Sequence, residues 1–136
     1  MKYRFIEDLT SDVMFEAYGK DLKGLFENAA LALFSVICQI ERVGSKIEKI
    51  VEIKSDNIEG LMYEWLQELI SIVDIKGLFF SKFEIIGMGE KHLKAKCYGE
   101  EADPEKGGTV VKAVTYYKYL FEKTGEGYRV RVSLDI

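Results

Sequence analysis

Two β-prone runs at the end of the chain, separated by a short turn, constrain the fold more than any other feature. Residues 110–121 are rich in β-branched and aromatic side chains and contain neither Gly nor Pro, which is the composition of a strand. Residues 123–127 have turn chemistry, and residues 128–136 then alternate strictly between apolar and polar. We therefore predict a hairpin that frames the fold and holds Asp135 and the terminal carboxylate of Ile136 on a strand.

The rest of the chain mixes strand and helix patterns. Apolar residues follow helical spacing after Asp21, which is a good N-cap, and again after a capping-box pattern formed by Asp56 and Glu59. Strand patterns occupy residues 2–9, 13–18, 47–54, 78–86 and 91–98. We predict a single α+β domain over residues 1–136, in which two amphipathic helices pack on one face of a mixed, mostly antiparallel sheet.

The charge balance limits the choice of partner. The net charge is −4, whereas sequence-independent nucleic-acid binding needs a surplus of cations, and we expect no sequence-specific contact with nucleic acid either. Cations still gather in the frame hairpin, where they form either a solvated face or an electropositive surface that docks a partner. The candidate partner-binding residues are Lys112, Lys118, Arg129 and Arg131.

Lys112 is the most informative of these cations. By alternation it shares a face with Val114, Tyr116, Lys118 and Leu120, which is a mostly apolar face. Its ammonium group therefore either reaches water past the sheet edge, or lies beside an acidic site or the partner.

The chain has no pattern of a membrane or secreted protein. We find no apolar run long enough to span a bilayer and no signal peptide at the start. Cys38 and Cys97 lie in apolar contexts and are predicted to be free, buried thiols. These features predict a cytoplasmic protein that does not bind membranes.

The residues needed for catalysis are largely missing. His92 is the only histidine and alternates with Lys94 and Lys96, which predicts a solvated position. The Gly-x-Gly pairs at 87–89 and 125–127 lie between strands and indicate hairpin turns, not phosphate-binding loops. We therefore expect no catalytic residue and no independent enzyme activity.

Carboxylates are the remaining candidates for chemistry. Asp12 follows Thr-Ser within a strand-like stretch, and Asp135 lies on the polar face of the last strand beside the carboxylate of Ile136. If these strands are neighbours, three hard oxygen groups converge, a set that suits Ca²⁺, Mg²⁺ or another hard divalent cation but not zinc. In the alternative interpretation, Asp12 is a turn residue and Asp135 pairs with Arg129 or Arg131.

Several short motifs recur in a definite order along the chain. They are Thr10-Ser11-Asp12, Ala17-Tyr18-Gly19, Leu25-Phe26-Glu27-Asn28-Ala29-Ala30, Trp65-Leu66 with Glu68, Val111-Lys112-Ala113-Val114-Thr115-Tyr116 and Leu134-Asp135-Ile136. Together they resemble the archease family from end to end. Archeases are small activators of the GTP-dependent tRNA-splicing ligase that promote its guanylylation and multiple turnover and broaden its nucleotide choice.

The resemblance implies a non-catalytic ligase activator. The alternative, also drawn from the family, is a calcium-binding, chaperone-like interaction module for proteins of DNA or RNA processing. The family's metal, usually assigned as calcium, is held by the Asp of a His-Thr-Ala/Ser-Asp motif, the penultimate Asp and the C-terminal residue. By motif, these groups are Asp12, Asp135 and Ile136.

The chain departs from the family pattern at histidine positions. Leu9 and Tyr117 stand where the motifs usually have histidine, and a histidine common in the preceding loop is missing near Glu105 and Lys106. Either the shared function does not need these histidines or this protein has lost part of it. The retained oxygen groups favour the first interpretation.

Overall fold

The computed structural model describes residues 1–136. The chain forms seven strands, two helices and two short 3₁₀ turns, at Ile40–Arg42 and Pro104–Lys106. In order, the main elements are β1 (Tyr3–Ile6), β2 (Val13–Gly19), α1 (Leu22–Ile37), β3 (Ile47–Lys54), α2 (Ile58–Lys76), β4 (Leu78–Met88), β5 (His92–Glu101), β6 (Ala113–Thr124) and β7 (Gly127–Asp135).

The strands form two antiparallel sheets. The first has the order β1-β2-β7-β6 and the second the order β3-β5-β4, and all five strand pairs are antiparallel. The α+β class, the two helices and the frame hairpin are as predicted. The division into two sheets has a physical reason, because α1 is apolar on more than one side and both helices contact strands of both sheets.

One hydrophobic core joins the two sheets and the helices. In α1, Phe26 packs edge-on against Phe121 of the first sheet, with ring centroids 6.3 Å apart. Two turns later, Phe34 packs against Phe80 of the second sheet at 5.7 Å. The indole N–H of Trp65 donates a hydrogen bond to the Phe26 carbonyl at 3.0 Å and so ties α2 to α1. Neither helix combines the length and the apolar character that a membrane span requires.

The helices begin and end at residues with clear capping chemistry. Asp21 accepts a hydrogen bond from the N–H of Gly24 at 2.7 Å, as predicted. At the start of α2, Asn57 accepts one from Gly60 at 2.7 Å, so the prediction of Asp56 as the N-cap is wrong by one residue. Asp and Asn are both good N-cap residues, and here the cap is Asn57, which lies three residues before Gly60.

A bulge interrupts β6. Thr115 pairs with Ser133, whereas Leu120 pairs with Arg131, so extra residues of β6 loop out between these pairs. At the bulge Lys118 has a φ of 52°, a left-handed conformation that is uncommon for residues with a side chain. The predicted face shared by Lys112, Val114 and Lys118 is therefore wrong. Val114 is buried, while Lys112 lies before the strand and is exposed.

Side chains from the helices bond the main chain of one residue on an edge strand of each sheet. Tyr63 of α2 donates to the carbonyl of Val114 at 2.9 Å, and Gln67, one turn later, accepts from the Val114 N–H at 3.0 Å. In the second sheet, Glu27 of α1 accepts from the N–H of Ile85 at 2.9 Å. These bonds satisfy main-chain groups of the edge strands β6 and β4.

Candidate functional site

Asp12 and Asp135 lie together at one end of the pairing between β2 and β7. Val13 pairs with Leu134, and the two aspartates are the residues immediately beyond that pair. The main-chain N–H of Ile136 donates to Asp12 Oδ2 at 3.2 Å. Both aspartates line a cavity of about 300 Å³ together with Thr10, Ser11, Thr115, Tyr117 and Leu134. The strand order thus brings together the three residues that the sequence singled out.

The donor chemistry of this site fits a hard cation. Asp12, Asp135 and Ile136 are all exposed, and the groups they offer are oxygens, which Ca²⁺ and Mg²⁺ prefer. No group of three or more His, Cys, Asp or Glu side chains converges anywhere in the protein. A cation at this site would therefore take two side-chain carboxylates, with the carboxylate of Ile136 and water as further ligands.

The alternative pairing of Asp135 with an arginine is wrong. Arg131 Nε lies 3.2 Å from Glu16 Oε2, and Arg129 pairs with Glu122. Both arginines are several residues from Asp135 along β7, at a rise of about 3.3 Å per residue. Their charges are therefore neutralised at a distance from the aspartates.

Asp8, in the loop between β1 and β2, belongs to this region and was missed by the sequence analysis. Its Oδ1 accepts from the main-chain N–H groups of Thr10 at 2.9 Å and Ser11 at 3.1 Å. Its Oδ2 lies 2.9 Å from Lys118 Nζ. The Lys118 ammonium, followed by the N–H of Thr10, holds the pKa of Asp8 well below its usual range. An Asp two residues before Thr10 is an Asx-turn pattern, which could have revealed the turn but not the ion pair.

The four candidate partner-binding cations do not form one surface. Lys118 pairs with Asp8, and Arg129 and Arg131 pair with glutamates. The Lys112 side chain is exposed, and its main-chain N–H donates to the Asp135 carbonyl at 2.7 Å. The main chain of Lys112 is thus fixed beside Asp135, and its side chain is accessible to a partner.

On the outer face of the first sheet, the buried Glu16 binds three surrounding side chains. Its side chain is only 3% exposed and contacts Arg4 and Arg131, each at 3.2 Å. The Tyr18 hydroxyl also donates to it at 2.9 Å. Burial raises the pKa of the Glu16 carboxyl, but the hydrogen bonds from these three donors outweigh burial, and the pKa lies below its ordinary value.

The positions that differ from the family motifs do not share one environment. Leu9 is fully exposed, and the Tyr117 hydroxyl donates to Asp8 Oδ1 at 3.3 Å. His92 is exposed on β5 of the second sheet, opposite Lys54, so its predicted solvated position is confirmed. No histidine lies at the aspartates, and proton transfer by imidazole is not available there.

The sequence matches the family model described as "Archease protein family (MTH1598/TM1083)" over residues 3–136. The chain belongs to the archease family. It is 38% identical over 141 aligned residues to the protein archease of Methanosarcina mazei, covering 99% of this chain and 96% of that protein. It is 43% identical over 123 residues to the protein archease of Pyrococcus abyssi, covering 87% of each.

Solved archease structures share the fold. The solution structure of protein 1598 of Methanobacterium thermoautotrophicum is 35% identical, with a TM-score of 0.81 and 99% coverage of both chains. The crystal structure of an archease from Thermotoga maritima, described as a possible chaperone, has a TM-score of 0.70 at 23% identity, covering 98% of this chain and 97% of that one. The arrangement of two helices and antiparallel strands is thus common to these family members.

Proposed function

We propose that this protein is a non-catalytic activator of the GTP-dependent tRNA-splicing RNA ligase. It promotes guanylylation and multiple turnover of the ligase and broadens the choice of nucleoside triphosphate. Membership of the archease family supports the proposal, because this role is the one that resemblance to the family implies. The observation that carries it at the level of residues is the convergence of Asp12, Asp135 and Ile136 at one end of the β2–β7 pairing.

The proposed cofactor is Ca²⁺, with Mg²⁺ or another hard divalent cation as the alternative. Asp12, Asp135 and the carboxylate of Ile136 would hold it, since all three offer oxygen ligands. The bound cation would neutralise these converging negative charges. The protein's own groups prepare the site, because the Ile136 N–H orients Asp12 and the Lys112 N–H fixes the Asp135 main chain.

We propose that activation works through differential binding to two ligase conformations. The sequence offers no phosphate-binding loop, so the protein would not supply a GTP site of its own. A preference of about 3 kcal/mol for the conformation ready for guanylylation would shift the ligase equilibrium roughly a hundredfold. Lys112, exposed beside the aspartates, is the cation best placed to contact the ligase.

The second candidate function is a chaperone-like module that binds cation but does not act on the ligase. The description of the Thermotoga maritima relative favours it. Exposed apolar side chains near the aspartates, Leu9 and Ile136 among them, also suit contact with a partner protein.

A ligation time course separates the two functions. Ligase is limiting, and GTP and a divalent metal are supplied. Reactions run without this protein, with the wild-type protein, with Asp12→Asn, or with Asp56→Asn as a matched control in the exposed turn before α2. Multiple turnover with wild type and the control, but not with Asp12→Asn, supports activation through the site. A course unchanged by wild-type protein refutes ligase activation and favours the chaperone-like module.

Two further measurements test the mechanism. Equilibrium dialysis of the isolated protein against GTP should detect no binding, and tight binding would contradict a conformational mechanism. Activation should weaken as salt rises if exposed charges such as Lys112 steer the encounter. Activation that is independent of salt would remove electrostatic docking from the proposal.

A further inference from the structure

We propose that Asp8 is a positioning residue, which clamps the loop between β1 and β2 onto the bulge of β6 and thereby sets the place of Asp12 beside Ile136. The clamp consists of Asp8, Lys118 and Tyr117. Its consequence for cation binding rests on the function proposed above, whereas its effect on the position of Asp12 does not.

Asp8 accepts two long-range hydrogen bonds in addition to the two local ones of its turn. Hydrogen bonds to Thr10 and Ser11 are local and form an Asx turn. The bonds from Tyr117 and Lys118 come from a segment more than 100 residues away in the sequence. The Asp8 side chain is only 10% exposed, although it lies in a loop. The carboxylate is therefore held from two directions.

The clamp reaches across the outer face of the first sheet. β2 and β7 lie between β1 and β6 in the sheet order, so the loop and the bulge meet over these two strands. Met14 and Ser133, which pair across β2 and β7 on that outer face, are 3% and 2% exposed. Ser133 also donates to the Tyr117 carbonyl at 2.9 Å. The burial of this outer-face pair agrees with a loop and a bulge that meet over the sheet.

The contact between Lys118 and Asp8 coincides with an uncommon backbone conformation in the bulge. Lys118 adopts a φ of 52°, which costs free energy for any residue with a Cβ atom. In this conformation its ammonium group reaches Asp8 Oδ2 at 2.9 Å. The strained residue is thus the one that makes the charged bond of the clamp.

The clamp is connected to Asp12 by a short, bonded segment. Ser11, whose N–H is held by Asp8, also donates through Oγ to the carbonyl of Val13 at 3.0 Å. Asp12 lies between these two anchors and accepts from the N–H of Ile136. Release of Asp8 would therefore free the N-terminal anchor and let Asp12 move away from Ile136.

The decisive variant is Lys118→Met, compared with Lys94→Met as control. Both lysines are about half exposed and pair with an acid, but Lys94 pairs with Glu52 in the second sheet. Removal of a positive charge near a cation site strengthens cation binding if only charge matters. Loss of the clamp, in contrast, weakens cation binding, because Asp12 is then no longer held beside Ile136. The two explanations thus predict changes of opposite sign.

Amide hydrogen exchange and Ca²⁺ calorimetry supply the measurements. For Lys118→Met we expect exchange at the Ile136 amide to accelerate and Ca²⁺ affinity to fall, each about tenfold, as for loss of one charge-assisted hydrogen bond. Exchange in β5 should not change, which shows that the fold is intact. Tyr117→Phe, which loses only the 3.3 Å bond, should give a smaller change in the same direction.

Specific results would overturn the clamp. The clamp is refuted if the Ile136 amide exchanges at the same rate in Lys118→Met as in the wild type and Lys94→Met. A rise in the Ca²⁺ affinity of Lys118→Met would also refute it. If the wild-type protein binds no Ca²⁺ at all, the proposed cation site fails, and exchange at Ile136 alone then decides the clamp.

Discussion

The main-chain N–H of Ile136 lies 3.2 Å from the carboxylate of Asp12, although 124 positions separate the two residues in the sequence. This bond places the last peptide group against the loop between β1 and β2. The carboxylate of Ile136 is therefore held close to Asp12.

Addition of one residue after Ile136 should weaken Ca²⁺ binding about tenfold, because a charged ligand becomes a neutral amide oxygen in a site with few ligands. Isothermal calorimetry measures the affinity. One residue added before Met1, which is 91% exposed, is the matched control. Equal affinities for the two extended proteins would exclude the Ile136 carboxylate from the site.

Lys112→Met should separate partner contact from stability. The side chain is exposed and precedes β6, so its replacement should change the free energy of unfolding by no more than about 0.5 kcal/mol. We expect activation of the ligase to fall several-fold in the time course. Lys123→Met, at the far end of β6, is the control. Unchanged activation by Lys112→Met would show that the ammonium group is only solvated.

Trp65→Phe should destabilise the protein without a direct effect on the site. The substitution removes the 3.0 Å bond to the Phe26 carbonyl and leaves a small cavity in the core. We expect a loss of about 1–3 kcal/mol, which corresponds to a fall in Tm of roughly 3–10 °C. Thermal unfolding followed by circular dichroism measures it. Ile75→Ala, at a 76% exposed position of α2, should change Tm little; an equal fall in both variants would contradict a specific role for the indole.

Glu16 should make the stability of the protein sensitive to acid. Its pKa in the folded protein lies below the ordinary value of 4.5, so its contribution is fully present above about pH 4.5 and disappears as the pH falls through the folded pKa. Glu16→Gln should cost about 1–3 kcal/mol at pH 7 and less at pH 3. Urea unfolding at both pH values tests this, and a cost that does not depend on pH would assign the effect to packing alone.

Both cysteine thiols should be unreactive in the folded protein. Cys38 and Cys97 are free and buried, as predicted, and burial raises the pKa of each thiol to about 12. Because the thiolate is the reactive form, a thiol reagent at pH 8 should label neither residue until guanidinium unfolds the chain. Rapid labelling of the native protein would show that one of these thiols becomes exposed.

Local patterns in the sequence were enough to predict several elements. Asp21 caps α1 as expected, and the strict alternation of β7 correctly indicated its buried face. Asp12 and Asp135 could be paired in advance because both lie at strand ends that match if β2 and β7 are neighbours.

Contacts between distant residues could not be predicted in this way. The bulge of β6 depends on a left-handed Lys118, and no Gly or Asn marks that position. Asp8 gains its role from residues 109 and 110 positions away. Similarly, periodicity shows which side of a strand is apolar but not which sheet the strand joins, so one sheet was expected where two formed.

The helix side chains that cover β6 and β4 also affect how the protein behaves at high concentration. An edge strand with free N–H and C=O groups can recruit the strand of another molecule and start aggregation. Tyr63 and Gln67 bond the main-chain groups of Val114, and Glu27 bonds the N–H of Ile85, so at these two points another strand cannot pair with the edge. The other two edges are β1, which has four residues, and β3, whose charged side chains disfavour intermolecular pairing: Glu48, Lys49, Glu52 and Lys54. The contacts that attach the helices to the sheets thus also remove pairing groups from two sheet edges.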